Sequence, residues 1–445
     1  MLLDINLLRL LIITIATLLI GLMGFNYLVT YKQKMFFFLT LAGLFFYSGF
    51  GFAYGDFVSS SYFLFYCGFI STYTMGFAVA CKSMRGINAR LSGNANPSFE
   101  KLIKSEIFVK GTILIYLFLC LFSLIYPNMI IDRLWNLPGF DITQSWFGGL
   151  SPEKTVLESA MLNLRHLMLP LFLLSLYRYR QRTIWIVILI ILPYYFDYCS
   201  KGYLGRTAIA YILTYLFIFF WYERQTRRKK ILLYSFLLFP ILSVILTIWS
   251  ASRTGEFVFD INIINILESL QKETSFPIHS EKVLSSGLHT NITDYFMWIL
   301  TLPLPTIFVG PKPSIFLTVE ITEILENIPL GYNYFSIILT GPVTESVYIY
   351  GINLFWLHGL FVGILAGLLC SVSESIRSAI FIHTSFIIAF GFVFARAGIG
   401  GLMPILMNQF LSFYIILLIF SVNGTKAQVV PDKQYLITNE SGEGP

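Results

Sequence analysis

Charge is what this sequence has least of. Asp, Glu, Lys and Arg make up 12% of its 445 residues, about half the share of a soluble globular chain. Histidine is scarce as well: there are five, and none falls in an HExxH pattern. The five cysteines, Cys67, Cys81, Cys120, Cys199 and Cys370, are scattered without CxxC spacing. These absences remove the grounds for a disulfide framework or a zinc site. Neither a Walker motif nor a glycine-rich nucleotide loop is present, so the sequence points to no ATP-driven chemistry and no cofactor. The net charge of +6 calls for no nucleic acid, because basic loops facing anionic membrane lipid account for it.

Apolar sequence fills the space that charge leaves. The chain is 56% hydrophobic and 17% aromatic, with a mean hydropathy of +0.73. Apolar runs of about 18–25 residues recur along it, each long enough to cross a hydrocarbon layer of about 30 Å as a helix. Membrane strands alternate polar and apolar positions, whereas these runs are unbroken. The expected fold is all-α: a single polytopic integral membrane domain over 1–445 with about eleven transmembrane helices. The spans fall near 7–30, 35–55, 60–81, 107–127, 161–177, 183–199, 207–222, 231–250, 346–369, 379–395 and 405–421. The first run is longer than a signal-peptide core and has no small-residue cleavage site, so no cleavable leader is expected.

Basic residues set the orientation, since they favour the cytoplasmic side of short loops. Half of the 30 Lys and Arg lie in YKQK from Tyr31, KSMRGINARL from Lys82 with Lys101 and Lys104, RYRQR from Arg178 and ERQTRRKK from Glu223. Arg377, Lys426 and Lys433 fall on the same side. That places the N-terminus outside and the tail, 422–445, in the cytoplasm. Two long loops then face outward, 128–160 and 251–345. Long loops tend to be functional. In the second, ITDYFMWILTLPLPTIFVG is apolar but interrupted by Pro303 and Pro305, and PSIFLTVEITEILENI reads as an amphipathic helix lying on the membrane surface.

Against that pattern, five cations sit at outward helix ends: Arg165, Lys201, Arg206, Arg253 and Arg396. Taken singly, each can be an interfacial anchor that reaches lipid phosphate. Taken together, they suit a shared anionic site, because the guanidinium fork pairs bidentately with phosphate oxygens. Glycines beside them, in KGYLGR and RAGIGG, let backbone N–H groups approach an anion closely. A lipid diphosphate fits this chemistry.

Several of these stretches resemble the O-antigen polymerase (Wzy) family of oligosaccharide repeat-unit polymerases. They are SKGYLGR at 200–206, SRTGE at 252–256 and GPVTESVYIYGINLFWLHGLFVGILAG at 341–367, set in a many-span chain with two large outward loops. The third joins Glu345, Tyr350 and Gly351 to a span with glycines at 359, 363 and 367. The family is commonly drawn with an even span count and both ends inside, unlike the orientation read above.

The resemblance implies a GT-C-like membrane enzyme in the bacterial inner membrane with periplasmic loops. It would move a growing glycan from undecaprenyl diphosphate onto the end of a new lipid-linked repeat unit. The donor carries its own leaving group, in keeping with the missing nucleotide motifs. Implied partners are undecaprenyl-diphosphate-linked oligosaccharides, membrane lipid, a chain-length regulator and a flippase. The five cations would stabilise the departing diphosphate. Glu345, His289 and His166 are the candidates for the base that takes the acceptor hydroxyl proton. Glu345 has an alternative role as a helix cap, and His289 as an ordinary loop residue. Trp135 and Trp146, with Phe140 and Phe147, are candidates for stacking on sugars, with an interfacial aromatic belt as the alternative. His358 and His383 fall mid-span, where a helix–helix hydrogen bond is the expected role. An O-antigen ligase, another lipid-linked-sugar glycosyltransferase, or a lipid-linked oligosaccharide flippase would share this membrane content. A transporter usually adds internal repeats and interrupted helices, and no duplicated pattern is visible.

Overall fold

Inside a bilayer no water is available to the backbone, so each apolar run must satisfy its own N–H and C=O groups as a helix. The computed structural model describes residues 6–54, 58–85, 105–125, 156–201, 206–223, 274–304, 306–313, 315–327, 329 and 338–424. Among these the regular elements are helical and no strand forms. They are α1 (Leu7–Phe25), α2 (Tyr31–Leu44, prolonged by tighter and wider turns to Ala53), α3 (Ser60–Ser83), α4 (Glu106–Ile125), α5 (Val156–Leu176), α6 (Thr183–Lys201) and α7 (Arg206–Glu223). Then come α8 (Ser280–Ser286), α9 (Ile292–Thr301), α10 (Leu317–Glu326), α11 (Gly341–Ser375), α12 (Ile380–Ile388), α13 (Ala395–Pro404) and α14 (Leu411–Gly424).

Among the described residues, six stretches are long and apolar enough to cross a membrane: Leu7–Phe25, Tyr31–Ala53, Ser60–Ser83, Val156–Tyr179, Gly341–Ser375 and Ile380–Gln409. Shorter apolar helices cover Thr183–Asp197 and Ala208–Tyr222. The chain is a polytopic α-helical membrane protein. The expected eighth span at 231–250 and most of the first long loop lie outside the described residues, and the second long loop is described in part.

One stretch is not a single span. Helix runs from Ile380 to Gln409, but Gly398 breaks it with φ 64° and ψ −156°. Beyond the break the chain turns back. A Cβ on Gly401 would sit 3.1 Å from Cγ1 of Val393, eight residues earlier; a continuous helix would separate those positions by about 12 Å. The Phe386 and Phe410 rings, 4.8 Å apart, meet across the same reversal. α12 and the first turn of α13 therefore rise to Gly398, and the rest of α13 descends beside them.

Glycine spacing organises the centre. In α11, Cβ atoms on Gly359 and Gly367 would lie 2.5 Å from the Phe69 oxygen and 2.6 Å from the Phe77 oxygen of α3. Gly363 faces Tyr73, and Gly76 returns the contact against Leu360. Positions 69, 73 and 77 thus climb alongside 359, 363 and 367, so α3 and α11 run parallel at close backbone approach. In lipid, where apolar surface gains little by meeting apolar surface, small residues that let backbones touch are the main source of such packing.

The two ends of the bundle differ. At one end, the Asn6 N–H donates to Ala53 O at 2.7 Å and Arg9 to Val58 O at 2.7 Å. There the second long loop also attaches: Tyr54 bonds Thr274, and the Ser59 N–H donates to Glu281 at 3.1 Å. At the other end, Arg85 donates to Tyr27 O at 3.0 Å and Trp221 to the Tyr31 hydroxyl at 2.5 Å. Lys32 there lies over the Tyr222 ring at 6.0 Å.

Candidate functional site: a carboxylate between two broken helices

The sequence GPVTES opens α11 in an unusual way. Gly341 adopts φ 75°, and Pro342 takes the first helical turn, where a missing N–H does no harm. Ten residues on, Gly351 breaks the helix with φ 73° and ψ 173°, a conformation essentially reserved for glycine. A Cβ there would meet nothing within 4 Å, so the backbone angle alone explains the residue. The break frees main-chain groups, and the long loop takes one of them: the Thr290 N–H donates to Tyr348 O at 3.0 Å. The Tyr348 hydroxyl donates to Glu320 of α10 at 3.0 Å.

Glu345 lies on the piece of α11 before this break and is only 6% exposed. Its carboxylate accepts from the Ile399 N–H at 2.5 Å and the Gly400 N–H at 3.3 Å. These are the first free donors of the helix that restarts after Gly398, whose N-terminal dipole favours a negative group. Glu345 is therefore a cap, but of a neighbouring helix and not of its own. The RAGIGG stretch does present N–H groups to an anion, those of Ile399 and Gly400; the anion is the chain's own carboxylate.

The other expected site residues divide. Arg396 stands two positions before Gly398, part-buried, beside Tyr47. Tyr47 stacks on Phe276 of the long loop, with ring centroids 5.8 Å apart. Arg165 gives both arms of its fork to Asp197 of α6, at 2.6 and 2.9 Å, with the pair 14% and 25% exposed. Its guanidinium is thus committed to a carboxylate within the bundle. His166 follows it on α5, half-buried. His289 is exposed, and its Nδ1 lies 2.8 Å from Gly287 O within the loop, away from the Glu345 carboxylate's contacts. Lys201 ends α6 and Arg206 opens α7, but their side chains, and all of Arg253, Trp135, Phe140, Trp146 and Phe147, fall outside the described residues.

The two mid-span histidines part ways. His383 Nδ1 pairs with the Ser373 hydroxyl at 2.9 Å, the helix–helix bond expected of it. His358 makes none: its two nitrogens have no hydrogen-bond partner among the described residues. Sequence reasoning also passed over Asp197 and Tyr295. A lone acid inside an apolar run was the available signal for Asp197, since intramembrane charges pair with one another.

Fold and site together define a polytopic helical membrane protein with a buried carboxylate seated between two discontinuous helices. Comparisons with protein-family models, with curated proteins and with solved structures return no match.

Proposed function

We propose that this chain is a membrane glycosyltransferase of the O-antigen polymerase type. It transfers a glycan from undecaprenyl diphosphate to a lipid-linked repeat unit at the periplasmic face of the bacterial inner membrane. The observation that carries the reading is Glu345. It is a carboxylate in a nearly water-free position, fixed by two backbone donors, at the bundle end where the long loop attaches. A base held in this way has its unused lone pairs aimed by the fold. Arg396 supplies a cation two residues before the Gly398 break, on the helix that rises to it. In a water-poor site a fixed cation strongly stabilises a departing diphosphate. Arg253, Arg206 and Lys201 remain the further candidates for that role, while Arg165 is already engaged with Asp197.

The helix breaks at Gly351 and Gly398 favour a second reading, a lipid-linked oligosaccharide flippase, because transporters build their sites from interrupted helices. One experiment separates the readings. Purified protein in proteoliposomes receives defined lipid-linked repeat units, and products are resolved by size and by leaflet. Chain growth marks a polymerase, single transfer to a lipid core a ligase, and movement across the bilayer without new bonds a flippase. For the polymerase, Glu345→Gln keeps a hydrogen-bonding oxygen but not a base, and lowers the rate about 100- to 10,000-fold. Polymer formed by that variant at the parental rate would make Glu345 structural.

A further inference from the structure

Gly400 is a glycine that neither backbone nor packing requires. Its φ is not positive, unlike that of Gly398 two residues earlier. A Cβ there would lie 3.7 Å from Oε1 of Glu345 and 4.0 Å from Cδ1 of Phe316, both ordinary contacts. Alanine would fit and would favour the helix by about 1 kcal/mol. What the glycine leaves is a space the size of one methyl or hydroxyl group, with a carboxylate on one side and an aromatic ring on the other. Gly400 is half-buried and Phe316 is 41% exposed, so the space is reached from outside the bundle. The oxygen that faces it is the less committed one. Oε2 of Glu345 takes the short bond from the Ile399 N–H at 2.5 Å, and Oε1 the longer one from Gly400 at 3.3 Å.

Phe316 is firmly placed. It precedes α10, and its carbonyl accepts from the Val319 and Glu320 N–H groups at 3.0 and 3.3 Å. Ile315 and Leu317 on either side are buried, which turns the ring between them outward. The Tyr348–Glu320 bond ties α10 to α11. Trp298 of α9, itself buried, meets the Phe316 ring at 87° with 6.1 Å between centroids. Such an edge-to-face contact covers at most one face of Phe316 and leaves another for a ligand.

We propose that Phe316 and the space over Gly400 form the subsite for the terminal sugar of the acceptor, an inference that rests on the polymerase reading of Glu345. The C–H face of the sugar lies on the Phe316 ring. The hydroxyl to be glycosylated enters the space and donates to Oε1 of Glu345. Ligand sites combine apolar and aromatic walls with a few placed polar groups, and here a ring and a carboxylate oxygen flank one opening. A residue that only faced lipid would need no flat ring at 316 and no glycine at 400.

The test uses the full chain in proteoliposomes, with lipid-linked repeat units as substrate and the native host's free repeat-unit oligosaccharide as a binding probe. Phe316→Leu keeps apolar bulk, whereas Phe316→Trp keeps a flat ring. At saturating donor, leucine is expected to raise the acceptor KM about two- to tenfold with kcat little changed, and tryptophan to restore most of the loss. Gly400→Ala is expected to melt at or above the parental temperature yet weaken acceptor binding about tenfold, since a methyl then fills the space. Saturation-transfer NMR with the free oligosaccharide reads binding without chemistry in the same variants. Parental KM and parental binding in Phe316→Leu and Gly400→Ala overturn the subsite, make Phe316 a lipid-facing residue and leave the polymerase reading standing. Binding that both variants weaken, in a parent that makes no polymer, overturns the polymerase reading and keeps the sugar site. Neither binding nor polymer in the parent overturns both. Where Gly400→Ala melts below the parent, the leucine and tryptophan variants decide.

Discussion

Glu345 and Gly398 claim the same volume: a Cβ built on Gly398 would overlap Oε2 of Glu345. The carboxylate sits where a side chain would be, and this lets it reach the two N–H groups just beyond. A glycine was required there twice over, since φ 64° with ψ −156° is also closed to other residues.

Gly398→Ala should therefore be among the most damaging small changes in the chain. Backbone strain alone costs about 1–3 kcal/mol, before the collision is counted. Adding Glu345→Ala removes the collision but not the strain, so it should restore only part of the loss. Thermal unfolding in detergent reads both, and a Gly398→Ala protein melting at the parental temperature would contradict the juxtaposition.

Where the described helices lie was largely legible because unbroken apolar runs leave few alternatives, and Glu345 stood out as an acid behind Gly341 and Pro342. Its role was not legible. The bond to Ile399 spans 54 residues and depends on a reversal at Gly398, and local sequence carries no mark of which anion fills a glycine-rich cradle. Arg165 showed its charge but not its partner, because pairing across α5 and α6 is a matter of helix rotation. Tyr295 gave no signal: it belongs to a loop segment read only as apolar and interrupted by Pro303 and Pro305, yet its ring is fully buried.

Two glycine-to-alanine changes should have opposite effects. A Cβ on Gly363 would collide with the Tyr73 backbone oxygen, which cannot move aside as a side-chain tip can. Gly363→Ala should cost about 1–3 kcal/mol by forcing α3 and α11 apart. Gly111 in α4 has open space around its Cβ position, so Gly111→Ala should be neutral or stabilise by up to about 1 kcal/mol. Parallel melting curves compare them.

The Arg165–Asp197 pair predicts non-additivity. Removing either partner alone, as Arg165→Met or Asp197→Leu, strands the other charge and should cost up to about 3 kcal/mol. The double change should lie closer to the parent than the worse single variant. Additive losses in a double-mutant cycle would mean that the two residues act separately.

His279 makes the long-loop attachment sensitive to acid. Burial, with Lys282 adding to it, pushes its imidazole down from the usual 6.5 to about 4. Between those values the unfolded segment binds a proton that the folded segment does not, so folding weakens as pH falls. The stabilisation is complete above pH 6.5 and is lost toward pH 4. Hydrogen exchange over residues 274–290 should accelerate across that window relative to His279→Gln, once the intrinsic pH dependence is removed. Identical profiles for the two proteins would refute this.

The parallel pairing of α3 and α11 also constrains how the protein is made. Cys81 and its acceptor Gly367 are 286 residues apart, so α3 enters the bilayer long before its partner is translated. Until then the backbone groove that receives Gly359, Gly363 and Gly367 faces lipid or a temporary occupant. Biogenesis thus carries an interval in which the first helices form an incomplete assembly, vulnerable to mispairing and to proteolysis. The last third of the chain ends that interval, and it delivers Glu345 in the same event.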